Sequence, residues 1–320
     1  MAREKKLGQA TRDAYGKAIT EVGKTNPNVI VLDADLAKST KTDVFAKAFP
    51  DRFFDCGIQE ANMAGVASGL ASAGFIPCMS SFATFLMCKT YDQLRMSVAF
   101  PELNVKAVGS HCGISIGEDG ASQQSVEDIA LAASLPNFVV LGPCDEFETA
   151  GLTAKMVAHK GPVFMRTGRP KAPLVYSQAD VAKFEIGKGV LLKDGKDLAI
   201  FANGLLVFEA LVAADKLAEK GINASVIDIH TIKPIDRELV VAQAKKCGAV
   251  VTAEEHSIYG GLGSVIAKVL SEECPTPIEY VAVQDTYAES GSPDGLMEKY
   301  GLTSAGILKA CEKVLSRKKK

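Results

Sequence analysis

No stretch of this 320-residue sequence is apolar for long enough to cross a bilayer, and the charged start Met1-Ala2-Arg3-Glu4-Lys5-Lys6 leads into no apolar run of signal-peptide length. A cytoplasmic chain is expected. Positive charge is not in excess either: 36 Lys and Arg against 38 Asp and Glu leave a net charge of -2, with no basic face, which argues against nucleic acid and membrane surfaces as partners. The closing Arg317-Lys318-Lys319-Lys320 reads as a solvated tail. Cysteine occurs eight times, but never as Cys-x-x-Cys and never beside a histidine cluster of metal-ligand spacing. The cysteines therefore read as reduced, mostly buried small apolar residues, and no metal ligands are expected from this chain. No internal repeat is present.

What the sequence does contain is core. With 47% hydrophobic and 23% charged residues it describes a soluble globular protein, and its length suggests two domains. Short apolar runs alternate with helical periodicity: a helix over 9–25, a strand at Val29-Ile30-Val31-Leu32, a short strand at Phe53-Phe54, and a helix from Glu60. Strands at Ile76–Met79, Val105–Val108, Phe138–Leu141 and Val163–Met165 follow, with helices over 85–98, 126–134 and 145–159 between or after them. Such alternation predicts an α/β fold, a doubly wound parallel sheet with helices on both faces. The stretch 170–184 is rich in proline and charge and poor in periodicity, so the domains are placed at 1–172 and 187–320 with a linker at 173–186. The second, smaller α/β domain has predicted strands at 198–201, 224–227 and 249–252 and helices at 207–220, 237–246 and 263–273.

The stretch Cys56-Gly57-Ile58-Gln59-Glu60-Ala61-Asn62-Met63-Ala64-Gly65 places a carboxylate at the mouth of a helix whose continuation is small and apolar and so reads as buried. Taken alone, Glu60 reads as a first-turn acid facing solvent and the helix dipole. If it is buried, it must either keep a proton or find a specific hydrogen-bond partner, because an unpaired ionised carboxylate in a dry site is costly. Ligands in open parallel sheets bind beyond the carboxyl ends of strands, which draws attention to the loop Gly109-Ser110-His111-Cys112-Gly113-Ile114-Ser115-Ile116-Gly117-Glu118-Asp119-Gly120 after the Val108 strand. A loop so rich in glycine is costly to order unless it serves a site. His111 taken alone reads as a structural histidine capping nearby backbone.

These two stretches resemble transketolases. Gly-Ile-Gln-Glu-Ala-Asn-Met-Ala-Gly is similar to that family's glycine-isoleucine-x-glutamate segment, which implies that Glu60 hydrogen-bonds the aminopyrimidine of thiamine diphosphate and activates it. The resemblance makes Ser110–Gly120 the substrate-channel loop, with His111 contacting sugar phosphate and acting in catalysis, and Asp119 taking a sugar hydroxyl. Gln123 stands where many transketolases carry a second histidine. Phe82 matches the ring that stacks on the aminopyrimidine and Phe85 its neighbour, with Cys88 in place of a third aromatic; without the resemblance both phenylalanines read as core. Ala10-Thr11-Arg12, Asp35-Leu36-Ala37-Lys38-Ser39 and Met165-Arg166-Thr167-Gly168-Arg169-Pro170 look like the family's sugar-phosphate segments, which implies substrate roles for Arg12, Asp35, Ser39 and Arg166.

The Gly-Asp-Gly motif with which this family holds magnesium on the cofactor diphosphate does not occur in the sequence. The resemblance therefore implies the C-terminal part of a transketolase, a pyrimidine-binding domain plus a C-terminal domain. Its partner would be an N-terminal subunit supplying the diphosphate and magnesium site, and the pair is expected to form a heterotetramer acting on sugar phosphates. Two other thiamine enzymes share the domain types, the β subunit of a 2-oxo-acid dehydrogenase and the synthase of deoxyxylulose phosphate. The Ser110–Gly120 loop, with Arg12 and Arg166, favours sugar phosphates over either. A scaffold that binds a partner without catalysis is the non-enzymatic alternative, against which Glu60, His111 and Asp119 argue together. The turn Tyr259-Gly260-Gly261-Leu262-Gly263-Ser264 is a weak anion-site signal, equally explained by a tight strand-to-helix connection. His230 and His256 are given structural roles.

Overall fold

The computed structural model describes residues 3–318. Among the described residues fourteen strands form three sheets: β1 (Leu7–Ala10), β2 (Val29–Asp33), β3 (Phe53–Asp55), β4 (Ile76–Phe82), β5 (Lys106–Ser110), β6 (Val139–Leu141), β7 (Val163–Arg166), β8 (Lys171–Pro173), β9 (Val190–Lys193), β10 (Leu198–Ala202), β11 (Ala224–Asp228), β12 (Thr231–Lys233), β13 (Val250–Ser257) and β14 (Ile278–Val283). The larger sheet has the order β12-β6-β7-β5-β4-β2-β3 and the smaller β14-β13-β10-β11-β9, while β1 and β8 pair by themselves. Pairings within the two large sheets are parallel except at one edge of each, where β12 and β9 run antiparallel to their neighbours. Every residue of β2, β5, β10 and β11 is buried, as expected for strands covered by helices on both faces. The α/β reading of the sequence is the fold found.

Helix ends follow local chemistry. Asp145 caps the helix Glu146–Ala158, its Oδ1 accepting from the backbone N–H of Phe147 and of Glu148 at 3.0 Å. The helix Arg237–Cys247 ends at Gly248 in the left-handed conformation, φ 67°. The continuous helix expected over 85–98 is instead three pieces, Ala83–Cys88, Tyr91–Gln93 and a π-helical turn Leu94–Ala99. The break falls at Lys89 and Thr90, where the Thr90 hydroxyl turns back to the carbonyl of Leu86. The helix Glu60–Ser72 begins where the sequence placed it, but it is not buried all round. Met63, Ala64, Ala67 and Ser68 pack inward, whereas Gly65 and Gly69 approach nothing within this chain and Val66 is exposed. Small residues at helical spacing describe both faces alike, so periodicity alone did not separate them.

The stretch between the two large sheets is packed down. Pro173 lies in β8, residues Gln178–Lys183 form a 3-10 turn, and the rings of Tyr176 and Phe184 are buried edge to face 4.9 Å apart. β12 belongs by chain order to the second half yet hydrogen-bonds to β6 of the first. The strand β14 and the helices Pro293–Lys299 and Ser304–Arg317 were not anticipated. Of the basic terminus, Lys319 and Lys320 lie outside the described residues; Arg317 is paired with Glu279, and Lys318 Nζ donates to the carbonyl of Asp197 at 2.9 Å. Among the described residues no helix is long and apolar enough to cross a membrane.

Candidate active site

In the larger sheet the chain runs from β2 out to β3, then returns to the other side of β2 as β4. Such a reversal opens a crevice at the carboxyl ends of the strands. The loop and helix starts at that end carry Ser39 after β2, Glu60 after β3, Phe85 after β4, His111 after β5 and Arg169 after β7. Parallel pairing thus gathers residues far apart in sequence on one rim.

Glu60 is the first residue of its helix and only 4% exposed. Of the two outcomes open to a buried carboxylate, the structure shows the specific partner: Lys89 Nζ lies 3.1 Å from Oε1 and 3.3 Å from Oε2. Lys89 stands at the break after Ala83–Cys88, and its side chain is 49% exposed, so water screens the pair from one side. The same ammonium lies 4.5 Å from the centroid of the Phe85 ring. Phe85 in turn stacks on Phe82 with centroids 5.6 Å apart, and Phe82 stacks on the imidazole of His111 at 3.9 Å. Phe82 is buried; Phe85 is the half-buried, more open ring.

His111 is buried with φ 59°, a left-handed conformation uncommon outside glycine. Arg12 Nη1 lies 2.8 Å from Nε2, and Ser110 Oγ lies 2.8 Å from Nδ1. A guanidinium only donates, so Nε2 accepts and Nδ1 carries the proton toward Ser110. Burial, reinforced by the positive charges of Arg12, Arg169 and Lys41, pushes the His111 pKa down to about 3. The imidazole is neutral at physiological pH and works as a hydrogen-bonding group. Arg12 also donates to the carbonyl of Ser39 at 3.1 Å, while its buried Nε finds no partner among the described residues. Burial lowers the Arg12 pKa, with Arg169 adding to that effect and Asp13 and Asp119 opposing it. A guanidinium with a free buried donor, near a second arginine, is a site that an anion would complete.

One residue expected in this group is elsewhere. Arg166 does not face the crevice: it lies in β7 itself, 5% exposed, with Nε and Nη2 on the two oxygens of Asp128 at 2.8 and 3.1 Å. Its Nη2 also donates to the carbonyl of Glu255 at 3.1 Å, in the second half of the chain. Burial alone would lower its pKa, but Asp128, Cys112 and Glu255 together outweigh it and raise the value. The guanidinium is committed to joining the two halves and is not free for a phosphate. Arg169, three residues on and past the strand end, is the one near Arg12 and His111; it pairs with Glu118 at 2.9 Å and reaches the carbonyl of Ile116. The position of a strand's last residue would have separated the two arginines.

Asp35 is exposed at φ 62°, its N–H on Asp55 Oδ1 at 3.0 Å; in the loop after β5 Asp119 is exposed, close enough to act on the charge of Arg12, and Gln123 is half-buried. The buried acid after β2 is Asp33, which accepts from Leu36 N, Thr40 Oγ1 and Thr42 Oγ1 at 2.6, 2.7 and 2.9 Å and so shapes the loop that carries Ser39 and Lys41. Sequence reading passed over Asp33, Lys41, Lys89 and Arg169. Lys89 had no signal, since its role depends on a helix break that periodicity did not show.

The turn at Gly261 takes no external anion. Glu254 fills it, its Oε2 and Oε1 accepting from the N–H groups of Leu262 and Gly263 at 2.7 and 2.8 Å. His256 is buried, its Nε2 accepting from Ala130 N at 3.3 Å, and burial pushes His230 down to about 4. Among the described residues one group has metal-ligand proximity, Cys144, Glu148 and Asp228, but it is sealed between the halves and internally bonded. Glu148 Oε2 accepts from Cys144 N and Asp228 Oδ2 from the Tyr176 hydroxyl, both at 2.7 Å. Burial and the neighbouring Asp228 raise the Glu148 pKa, which favours its protonated form beside that second acid.

The sequence matches the family profile "Transketolase, pyrimidine binding domain" over residues 8–174 and "Transketolase, C-terminal domain" over residues 187–307. The chain belongs to the transketolase family. Among curated transketolase relatives, a "Putative transketolase C-terminal section" of Methanocaldococcus jannaschii is 44% identical over 299 residues, covering 93% of this chain and 94% of that one. A "6-deoxy-6-sulfo-D-fructose transketolase subunit SqwH" of Clostridium sp. is 42% identical over 307 residues, covering 96% and 95%. A solved structure described as "Split gene transketolase, inactive beta4 tetramer" superposes with a TM-score of 0.91 at 49% identity, covering 98% of this chain and 100% of that one. These transketolase matches do not favour the 2-oxo-acid dehydrogenase or deoxyxylulose phosphate synthase readings.

Proposed function

We propose that this chain is the pyrimidine-binding and C-terminal subunit of a split transketolase. Joined to a second subunit, it would move a two-carbon ketol unit from a ketose phosphate to an aldose phosphate in the cytoplasm. The observation that carries the reading is Glu60, a carboxylate withdrawn from water at the mouth of the strand-end crevice, beside the Phe85–Phe82–His111 stack. The names of the relatives, a section, a subunit and a split gene, support the division of the enzyme between two chains. The tetramer in the name of the solved relative supports assembly into a heterotetramer.

The residues present fit the aminopyrimidine end of thiamine diphosphate: a shielded carboxylate and, beside it, a half-buried aromatic ring. The diphosphate and its magnesium are assigned to the partner subunit, because the Gly-Asp-Gly motif with which the family holds them does not occur in this sequence. When bound, thiamine diphosphate supplies the carbanion chemistry at its thiazolium C2 that carries the ketol unit. Glu60 would hold a proton at the pyrimidine ring nitrogen, which would take the place that Lys89 Nζ now has beside the carboxylate. Phe85, rather than the buried Phe82 to which the resemblance gave that place, would stack on the pyrimidine, with Phe82 behind it. His111 hydrogen-bonds the sugar as a neutral imidazole. Arg12 and Arg169 take the anionic end of the sugar, Ser39 lies beside them, and Asp35, Asp119 and Gln123 serve sugar hydroxyls. A sulfonated ketose, the class named for the Clostridium relative, is the second reading, and rates with phosphorylated and sulfonated ketoses decide between them.

The test is hydrogen-deuterium exchange at C2 of the cofactor in the reconstituted complex. Glu60→Gln keeps shape and hydrogen bonding but removes the acid, so exchange should slow by roughly 10²–10⁴-fold at matched cofactor saturation. Equal rates would make Glu60 a structural acid and sink the reading.

A further inference from the structure

The loop that carries His111 and Asp119 is shaped by the other half of the chain. Three of its glycines have left-handed backbone, Gly113 at φ 74°, Gly117 at 87° and Gly120 at 78°, and each lies against a residue of the second half. A Cβ on Gly113 would stand 2.2 Å from the Glu255 carboxyl, one on Gly117 would stand 3.0 Å from Pro293, and one on Gly120 would stand 2.5 Å from Ser290 Oγ. Gln124 Nε2 donates to the carbonyl of Glu289 at 3.1 Å, and Ser257 N donates to the carbonyl of Val126 at 2.7 Å. At the centre Glu255, buried, accepts from the N–H of Ser115 at 2.6 Å, and its own carbonyl is held by Arg166. A loop of this composition has no core of its own, and its left-handed glycines are conformations that the chain otherwise has little reason to select.

We propose that Glu255 is a positioning residue for the active-site loop, and that the second half of the chain serves catalysis as the mould in which that loop sets. The chain Asp128–Arg166–Glu255–Ser115 carries the placement: the first half fixes Arg166, Arg166 fixes the Glu255 backbone, and the Glu255 carboxylate fixes Ser115, four residues from both His111 and Asp119. Glu255 touches neither substrate nor cofactor. Its effect is on where the sugar-binding groups stand, and displacements of the order of an ångström matter at such sites.

The test has two arms. In the isolated full chain, Glu255→Ala should raise deuterium uptake over 111–124 roughly tenfold or more while leaving the Glu60–Ser72 helix as protected as in wild type. In the reconstituted complex the same variant should raise KM for the sugar phosphate by roughly tenfold, with half-saturation by thiamine diphosphate unchanged within about twofold. Glu255→Gln retains an oxygen acceptor for Ser115 and should restore both readouts. Unchanged loop uptake in the alanine variant, an unchanged KM, or a glutamine variant as impaired as alanine would each overturn the proposal. If Glu255→Ala does not fold, Gln124→Leu removes the bond to the Glu289 carbonyl and should loosen the same segment; normal uptake there overturns the mould equally. The kinetic arm rests on the function proposed above and the exchange arm does not. Loosening of the loop in a complex that transfers no ketol units would therefore refute that function and leave this inference standing.

Discussion

Replacing Arg166 by methionine separates the structural account of this residue from a substrate-binding one. The guanidinium and Asp128 are 5% and 0% exposed, and three of its N–H bonds end on buried oxygens. Arg166→Met leaves the Asp128 carboxylate buried without its counter-ion, for which a loss of about 3–5 kcal/mol is expected. At about 2–4 °C per kcal/mol for a protein of this size, the thermal midpoint should fall by roughly 6–20 °C. Adding Asp128→Leu removes the stranded charge as well and should recover a large part of that loss, leaving a coupling of roughly 1–3 kcal/mol between the two sites. Arg169→Met offers the contrast: its partner Glu118 is 64% exposed, so stability should change by less than about 1 kcal/mol while KM for an anionic sugar rises. The measurements are thermal and urea unfolding of these variants and of Asp128→Leu alone, followed by circular dichroism, and steady-state kinetics of Arg166→Met and Arg169→Met. A stable Arg166→Met protein whose only defect is a raised KM would refute the reasoning.

His111 makes the fold sensitive to acid. Its folded pKa of about 3 lies below the ~6.5 of an unfolded histidine, so the unfolded chain binds the extra proton between those values. Stability from this group is full above ~6.5 and declines as pH falls toward 3; His111→Asn should flatten that part of a stability-pH curve measured by urea unfolding, and an unchanged slope counts against the burial argument. The isolated chain should not bind thiamine diphosphate with magnesium tightly, since the charged contacts to the diphosphate are assigned to the partner. Stoichiometric tight binding in a calorimetric titration of this chain alone would show that assignment to be wrong.

The parallel sheets were legible because buried strands such as Val29–Asp33 are continuous apolar runs, and because Glu60 opens its helix at a sharp change from polar to small apolar residues. The short edge strands β9 and β12 were not, since three or four residues carry too little period to be recognised. At the site, the sequence singled out residues joined by a local motif and passed over residues joined only by tertiary approach. His111 and Asp119 lie in one glycine-rich loop, whereas Lys89 reaches Glu60 across 29 positions and Glu255 reaches Ser115 across 140. Arg166 shows the limit from the other side. It shares a motif with Arg169, and only the end of β7 tells which of the two turns inward.

The place of β12 changes what a nick in the backbone would do. Because Thr231–Lys233 completes the edge of the sheet begined by the first half, with Thr231 opposite Leu141 and Lys233 opposite Val140, the connection through 173–186 is not what keeps the halves together. Cleavage there would leave a complemented pair, two fragments still sharing a hydrogen-bonded ladder and the buried Arg166–Asp128 anchor with Glu255 beside it. Either fragment made alone would be worse off than half a protein. The first would carry an open strand edge at Val139–Leu141 and the second an unpaired β12, both of them surfaces that invite aggregation. Co-expression of the two fragments is the route by which such a cut chain should remain soluble.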